Sequence, residues 1–170
     1  FRGDLKAASL NDYIKQVHAQ SSDVPVATVD TYNELLNHPQ VVNECDLILA
    51  NCYPFWEGSD RSVAVYALQE MVRRLETQYP GKQVVVTETG WPTMGHPVGN
   101  AKPSLSNAAL YYKDVQMWAK AKDLPVFYFS SFDEAWKYHA EGWAGTAWGL
   151  WDENENFKFP IELVNQEKRT

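Results

Sequence analysis

The stretch Val84-Val85-Val86-Thr87-Glu88-Thr89-Gly90-Trp91-Pro92 decides the fold of this chain. Three consecutive β-branched residues, without polar alternation, read as a strand buried on both faces, as parallel strands under helical cover are. The run ends in one carboxylate, and Gly90 and Pro92 then stop the strand. In open parallel sheets and (β/α) barrels, ligands sit beyond the carboxyl ends of the strands. Glu88 therefore stands in a place for chemistry, and Trp91, three residues on, offers a flat face to a sugar ring. On these residues alone another reading stays open: a glutamate that caps the strand or pairs with a helix start.

Outward from this strand the chain reads as four strand–helix repeats. A helix opens it, with Ser9 as N-cap and Leu10, Ile14 and Val17 in an i, i+4, i+7 stripe. Val24 to Tyr32 reads as strand and Asn33 to Leu36 as the start of a short helix. Cys45 to Tyr53 is the second strand. Arg61 to Gln78 is a helix with Leu68, Met71, Val72 and Leu75 on one face. Gln83 to Thr87 is the third strand. Ser106 is the expected N-cap of a helix reaching Lys122, with Tyr111, Val115 and Trp118 aligned and Trp118 expected in the core. Leu124 to Phe132 is the fourth strand, and Trp143 to Val164 is an aromatic, irregular tail. Alternation of this kind implies an α/β fold with a parallel sheet. At 170 residues the chain is one domain's length, and a small doubly wound α/β sheet fits it better than a complete barrel, which takes about 200 residues at least.

Each strand carries polar or aromatic residues at its carboxyl end. They are Asp30-Thr31-Tyr32; Asn51, Tyr53, Phe55 and Trp56; Glu88 and Trp91; and Phe132, Glu134, Trp136 and Lys137. Neighbouring strands lie about 4.8 Å apart, so these groups converge on one groove edge. Tyr53 and Trp56 pair an apolar face with a polar handle, which suits sugar stacking, whereas Phe55 reads as a plug under a helix. Glu88 and Glu134, taken alone, form an acid and nucleophile pair for glycoside hydrolysis. Glu134 and Lys137 also read as a surface i, i+3 ion pair.

Composition narrows the partners. The net charge of −7 argues against nucleic acid and against an anionic membrane surface, and it suits a neutral polysaccharide. Aromatic residues make up 14% of the chain, with 7 Trp, enough for both a core and a stacking surface. Cys45 and Cys52 flank one strand about 23 Å apart, beyond the ~7 Å limit for a disulfide. The four histidines are scattered, so no metal and no cofactor is expected, and no glycine-rich phosphate loop is present. No apolar run is long enough to span a membrane.

The segment Val-Thr-Glu-Thr-Gly-Trp-Pro at 86–92 closely resembles a signature of glycoside hydrolase family 17, the β-1,3-glucanases and β-1,3-glucan transglycosylases. The resemblance extends from Phe1 to about Pro160. It includes Asn51-Cys52-Tyr53-Pro54-Phe55 at the second strand end, Glu134-x-x-Lys137 after the fourth, and Trp148-Gly149-Leu150-Trp151. It implies a (β/α)8 barrel of which residues 1–170 carry about strands five to eight, the carboxyl-terminal half of the catalytic domain. It assigns Glu88 as nucleophile of a retaining mechanism. Glu134, Lys137 and Glu141 become the polar network around it, and the Asn51-x-Tyr53 segment lines the cleft; Trp56, Trp91, Phe132 and Trp136 are expected to bind substrate beside it from their place at the strand ends. The substrate it implies is laminarin-type β-1,3-glucan, cut at internal bonds, with transglycosylation or a non-catalytic glucan-binding module as alternatives. The family's acid/base glutamate precedes a stretch like Phe1-Arg2-Gly3-Asp4, so an amino-terminal half, as a separate chain or a missing segment, is the expected partner. The chain alone is expected to be catalytically inactive, and the setting implied is secreted or periplasmic.

Overall fold

The computed structural model describes residues 5–21 and 23–159. The strands follow one another in the order β1-β2-β3-β4, with helices in the connections. Two compact units divide the chain: one holds the residues up to Cys52 with Gln69–Thr87, the other holds Tyr53–Leu68 and everything from Glu88 onward. The strand read first from the sequence runs through both.

The first unit begins with α1 (Ala7–Gln20), followed by β1 (Val29–Thr31), α2 (Tyr32–Asn37), α3 (Pro39–Val42) and β2 (Ile48–Asn51). β1 and β2 pair in parallel, with Val29 opposite Leu49 and Thr31 opposite Asn51. Ile14 of α1 packs with Val41 and Cys45, and Leu10 and Val26 flank them. The unit also takes the later part of α4 (Ala64–Gln78) and most of β3 (Val84–Thr89). Ile48 N–H donates to the Gln83 carbonyl at 2.9 Å, and Tyr79 O–H donates to the Leu35 carbonyl. Met71, Val72 and Leu75 are buried, as the helical stripe predicts.

Boundaries differ from the sequence reading where side chains compete with the backbone ladder. The expected strand Val24 to Tyr32 shortens to three residues. Val26 N–H donates to Asp46 Oδ2 at 2.7 Å, and its carbonyl takes Asp46 N–H at 2.9 Å, so loop partners satisfy this stretch. Tyr32 starts a helix instead of ending a strand. The second strand loses Cys45, whose N–H closes a turn on Val42. Ser9 is not an N-cap: α1 starts two residues earlier and has no side-chain cap. α3, with Pro39 pre-setting its first turn, was not anticipated.

The second unit opens on Tyr53. A 3-10 turn at Arg61–Val63, capped by Asp60 through the Ser62 N–H at 2.9 Å, leads into α4. After β3 come α5 (Leu105–Lys122), β4 (Val126–Tyr128), a 3-10 turn at Ala135–Lys137 and α6 (Tyr138–Gly145). Ser104, not Ser106, caps α5 by accepting the Asn107 N–H at 3.1 Å. Trp118 is half-buried, short of the core position expected. β4 is shorter than the expected Leu124 to Phe132, and the helical stretch 135–145 replaces an unassigned loop and the start of the expected irregular tail. Phe1–Asp4 and the tail beyond Phe159 lie outside the described residues.

The core of this unit is aromatic. Phe55, Trp91, Tyr111 and Trp148 are all fully or nearly fully buried. Phe55 meets Trp91 and Trp148 edge-on at 5.3 and 5.5 Å, and Trp91 meets Tyr111 at 5.4 Å. The end of β3 reaches the end of β4 through Phe129 N–H, which donates to the Thr89 carbonyl at 2.8 Å. Gly90 permits that approach, since a Cβ there would lie 2.0 Å from the Phe129 carbonyl oxygen. Among the described residues, no helix is long and apolar enough to cross a membrane.

Candidate active site

Glu88 is the penultimate residue of β3 and belongs to the second unit. Its pocket, about 210 Å³, is lined by Tyr53, Trp56, Glu88, Phe129, Lys137, Glu141 and Trp148. The Tyr53 O–H donates to Glu88 Oε2 at 2.7 Å. The Glu88 carboxylate is thus held through Oε2 within the pocket it lines. Burial, then the hydrogen bond to Glu88 and the charges of Glu88 and Glu141, push the Tyr53 phenol well above its ordinary pKa. The phenol therefore stays protonated and remains a donor.

The aromatic walls lock this geometry. Tyr53 meets Trp148 edge-on at 5.4 Å and Phe129 at 6.1 Å, while Trp56, half-exposed, tilts over Trp148 at 5.6 Å. Lys137 is buried, pairs with Glu134 at 2.5 Å, and holds its Nζ 4.0 Å from the Phe129 ring centroid. A buried ammonium is tolerable only with such partners. Lys137 makes the i, i+3 pair, but as a buried side chain and not on the surface, and it lines the Glu88 pocket as well. Trp148 Nε1 is buried with no hydrogen-bond partner among the described residues, which leaves a donor in the wall of the pocket. Nothing here has the composition of a metal site: no group of three or more His, Cys, Asp or Glu among the described residues is arranged to hold one.

Of the residues expected at the site, Glu88, Tyr53, Trp56, Lys137 and Glu141 come together. Tyr53 does so as a hydrogen-bond donor as well as a ring. Glu134 supports Lys137 from outside the lining. Trp91 is displaced from its expected role: it is 0% exposed, enclosed by Phe55 and Tyr111, with Nε1–H donating to the Lys102 carbonyl at 3.0 Å. It has no face left for a sugar. Phe132 and Trp136 are exposed but line no part of this pocket; Phe132 lies against Trp151 at 5.9 Å, and Trp136 is 71% exposed. Asn51 belongs to the first unit, where its Oδ1 accepts from Thr87 Oγ1 at 2.7 Å. Phe129 and Trp148 were missed as lining residues, although Trp148 opens the Trp-Gly-Leu-Trp segment singled out in the sequence.

A carboxylate at the carboxyl end of a strand, beside aromatic rings, stands where (β/α) enzymes place catalytic groups. Residues 1–149 match the model of the BtgE/BtgC glycoside hydrolase domain. The chain is 29% identical to the glucan 1,3-beta-glucosidase BGL2 of Candida albicans over 95% of its own length and 59% of that protein. It superposes on a glycoside hydrolase family 17 beta-1,3-glucanosyltransferase from Rhizomucor miehei with a TM-score of 0.85 and 32% identity, over 96% of this chain and 60% of that one. An active-site mutant of the same enzyme in complex with laminaritriose matches at 0.85 and 31%. The chain belongs to the BtgE/BtgC glycoside hydrolase family, of glycoside hydrolase family 17 type. It spans about three fifths of the length of these relatives.

Proposed function

We propose that this protein acts on β-1,3-glucan as a retaining glycosidase, with Glu88 as its nucleophile. The observation that carries the reading is the Glu88 carboxylate at the end of β3, its Oε2 held by Tyr53, in a pocket that Trp56 also lines. In the first step Glu88 Oε1 bonds to the anomeric carbon as the glycosidic C–O bond breaks, and the departing oxygen takes a proton from an acid/base carboxyl. That carboxyl comes from the part of the relatives' length this chain does not span, and the four strand–helix repeats serve as strands five to eight of a (β/α)8 barrel. In the second step water adds to the anomeric carbon, the acid/base takes its proton, and Glu88 leaves as carboxylate. Trp56 supplies the apolar face for a sugar. Glu134 fixes Lys137, whose ammonium brings positive charge to the wall of the pocket. A polymeric glucan sets this work outside the cytoplasm.

A sugar hydroxyl in place of water turns the same intermediate to transglycosylation. The match to a glucanosyltransferase favours that second reading, and the curated glucan 1,3-beta-glucosidases favour hydrolysis. Incubating the intact enzyme with laminaripentaose tests both. Shorter products alone indicate hydrolysis, and products longer than five units indicate transfer. No change in chain length with the native enzyme, or full turnover by the Glu88→Gln variant, rejects the proposal.

A further inference from the structure

The Glu88 pocket is not the largest in the second unit. A cavity of about 640 Å³ is lined by Met94, Asp133, Tyr138, Trp143, Asp152 and Glu153, among others, against about 210 Å³ at Glu88. Its size falls within the range of small-ligand sites. Two of its walls are aromatic and accessible: Tyr138 is 43% and Trp143 52% exposed, and their rings meet edge-on at 4.8 Å. Its charged groups are the carboxylates Asp133, Asp152 and Glu153, beside the amide of Asn154 and the hydroxyl of Thr146. Asp133 Oδ1 accepts from Lys158 Nζ at 2.6 Å and from Gly149 N–H at 2.9 Å. Asp152 Oδ1 accepts the Asn154 and Asn156 N–H groups at 2.8 and 2.9 Å. These bonds fix both carboxylates in place while leaving lone pairs for further donors.

The walls are built by backbone devices. Gly142, at φ 64° and ψ −158°, breaks the helical path of α6 immediately before Trp143, which carries that ring back onto Tyr138. Gly95, at φ 125°, packs against the end of α6, where a Cβ would lie 2.6 Å from Ala144 N. Thr93 N–H donates to the Ala147 carbonyl at 2.9 Å. Met94 is thereby strapped to the rim.

Among the described residues no lysine, arginine or histidine lines the cavity; Lys158 reaches it only through its ion pair with Asp133, and with Asp133, Asp152 and Glu153 in the lining, phosphate, sulfate and acidic polymers meet mostly like charge there. The carboxylates do not gather as a metal site among the described residues. Ring faces for C–H surfaces, with fixed acceptors for hydroxyl donors, suit a neutral oligosaccharide. We propose that this cavity is a second carbohydrate site, distinct from the Glu88 pocket, in which a neutral oligosaccharide lies on Tyr138 and Trp143. Lys137 and Glu141 line the Glu88 pocket, and Tyr138 and Trp143 from the same stretch line this one, so one segment serves both. The identity of the sugar as β-1,3-glucan rests on the function proposed above; the site itself does not.

Methionine methyl NMR tests the site. The chain has three methionines, Met71, Met94 and Met117, and only Met94 lines the cavity. In the intact Glu88→Gln protein, laminaripentaose is expected to shift the Met94 methyl signal saturably and to leave those of Met71 and Met117 in place. Trp143→Ala, or Tyr138→Ser if that variant misfolds, is expected to weaken the Met94 response roughly tenfold, the loss of one aromatic contact. A Met94 signal that no neutral oligosaccharide moves, while the native enzyme cleaves laminarin, overturns the site and leaves the function standing. A Met94 shift from cello- or malto-oligosaccharide but not from laminaripentaose, with no cleavage of laminarin, keeps the site and rejects the glucan. Equal responses in the native and both substituted proteins, or a shift produced by calcium and by no sugar, overturn the site.

Discussion

Tyr53→Phe removes one oxygen atom from the site and leaves the ring in its aromatic nest against Trp148 and Phe129. What is lost is a 2.7 Å hydrogen bond from a phenol kept protonated by its surroundings to the carboxylate of Glu88. Hydrogen bonds to charged groups contribute about 1.5–3 kcal/mol. That bond stabilises the resting carboxylate, which by itself slows attack. Two effects act the other way: it turns the second oxygen toward the sugar, and it stabilises the charge that returns to Glu88 as the glycosyl-enzyme opens. Positioning of a reacting group is among the largest contributions to catalysis, so these effects dominate. The substitution is expected to lower kcat roughly 10- to 150-fold, with KM for laminarin little changed because Trp56 and the rest of the lining remain. Steady-state kinetics on laminarin, with a thermal melt to show that the fold is kept, measure this. A Tyr53→Phe enzyme within threefold of the native kcat would refute the argument that this phenol orients and charges the nucleophile.

Trp91→Ala is expected to cost about 3–5 kcal/mol of stability, as for a large core aromatic, whereas Trp91→Phe keeps glucan binding at a lower melting temperature; a binding defect without a stability defect would restore Trp91 to the cleft. Lys137→Met strips Glu134 of its partner and removes the ammonium over Phe129. With Glu134 about a third exposed, a loss of about 1–3 kcal/mol is expected, below that of a fully buried pair, together with a fall in activity, read by urea unfolding and by laminarin hydrolysis. Ser104→Ala removes the true cap of α5 and is expected to cost about 1 kcal/mol, while Ser106→Ala, inside the helix, changes unfolding little; the reverse order would mean that the cap is assigned to the wrong serine.

The carboxyl end of β3 was legible because three valines, a glutamate, a glycine and a proline all act locally. Burial of the valines, strand termination and the place of Glu88 at the strand end follow from neighbours in sequence. The helical stripe at Leu68, Met71, Val72 and Leu75 was legible for the same reason. Trp91 was not, because the same residue type serves as a stacking platform or as core, and only the arrival of Phe55 and Tyr111 from distant segments decides between them. The role of Tyr53 as a donor to Glu88 depends on a contact across 35 positions, which no local pattern encodes. Phe129 lay inside the expected fourth strand and Trp148 in the Trp-Gly-Leu-Trp segment, and neither position tells from sequence that the ring reaches Glu88. The short extent of β1 reflects Asp46 taking the backbone of Val26, a competition that propensity does not see. Helix 135–145 was missed because Gly142 interrupts its pattern at the point where the chain turns.

Covalent trapping tests the central claim most directly. A 2-deoxy-2-fluoro laminaribiosyl fluoride reacts as a glycosyl donor but leaves the intermediate slow to hydrolyse, so the attacked residue can be found by mass spectrometry of the digested, intact enzyme. The account predicts a single fluorosugar adduct on the peptide that carries Val84 to Pro92, located on Glu88, and no adduct in the Glu88→Gln variant. An adduct on Glu134 or Glu141, or turnover with inverted anomeric configuration and no adduct at all, would contradict it.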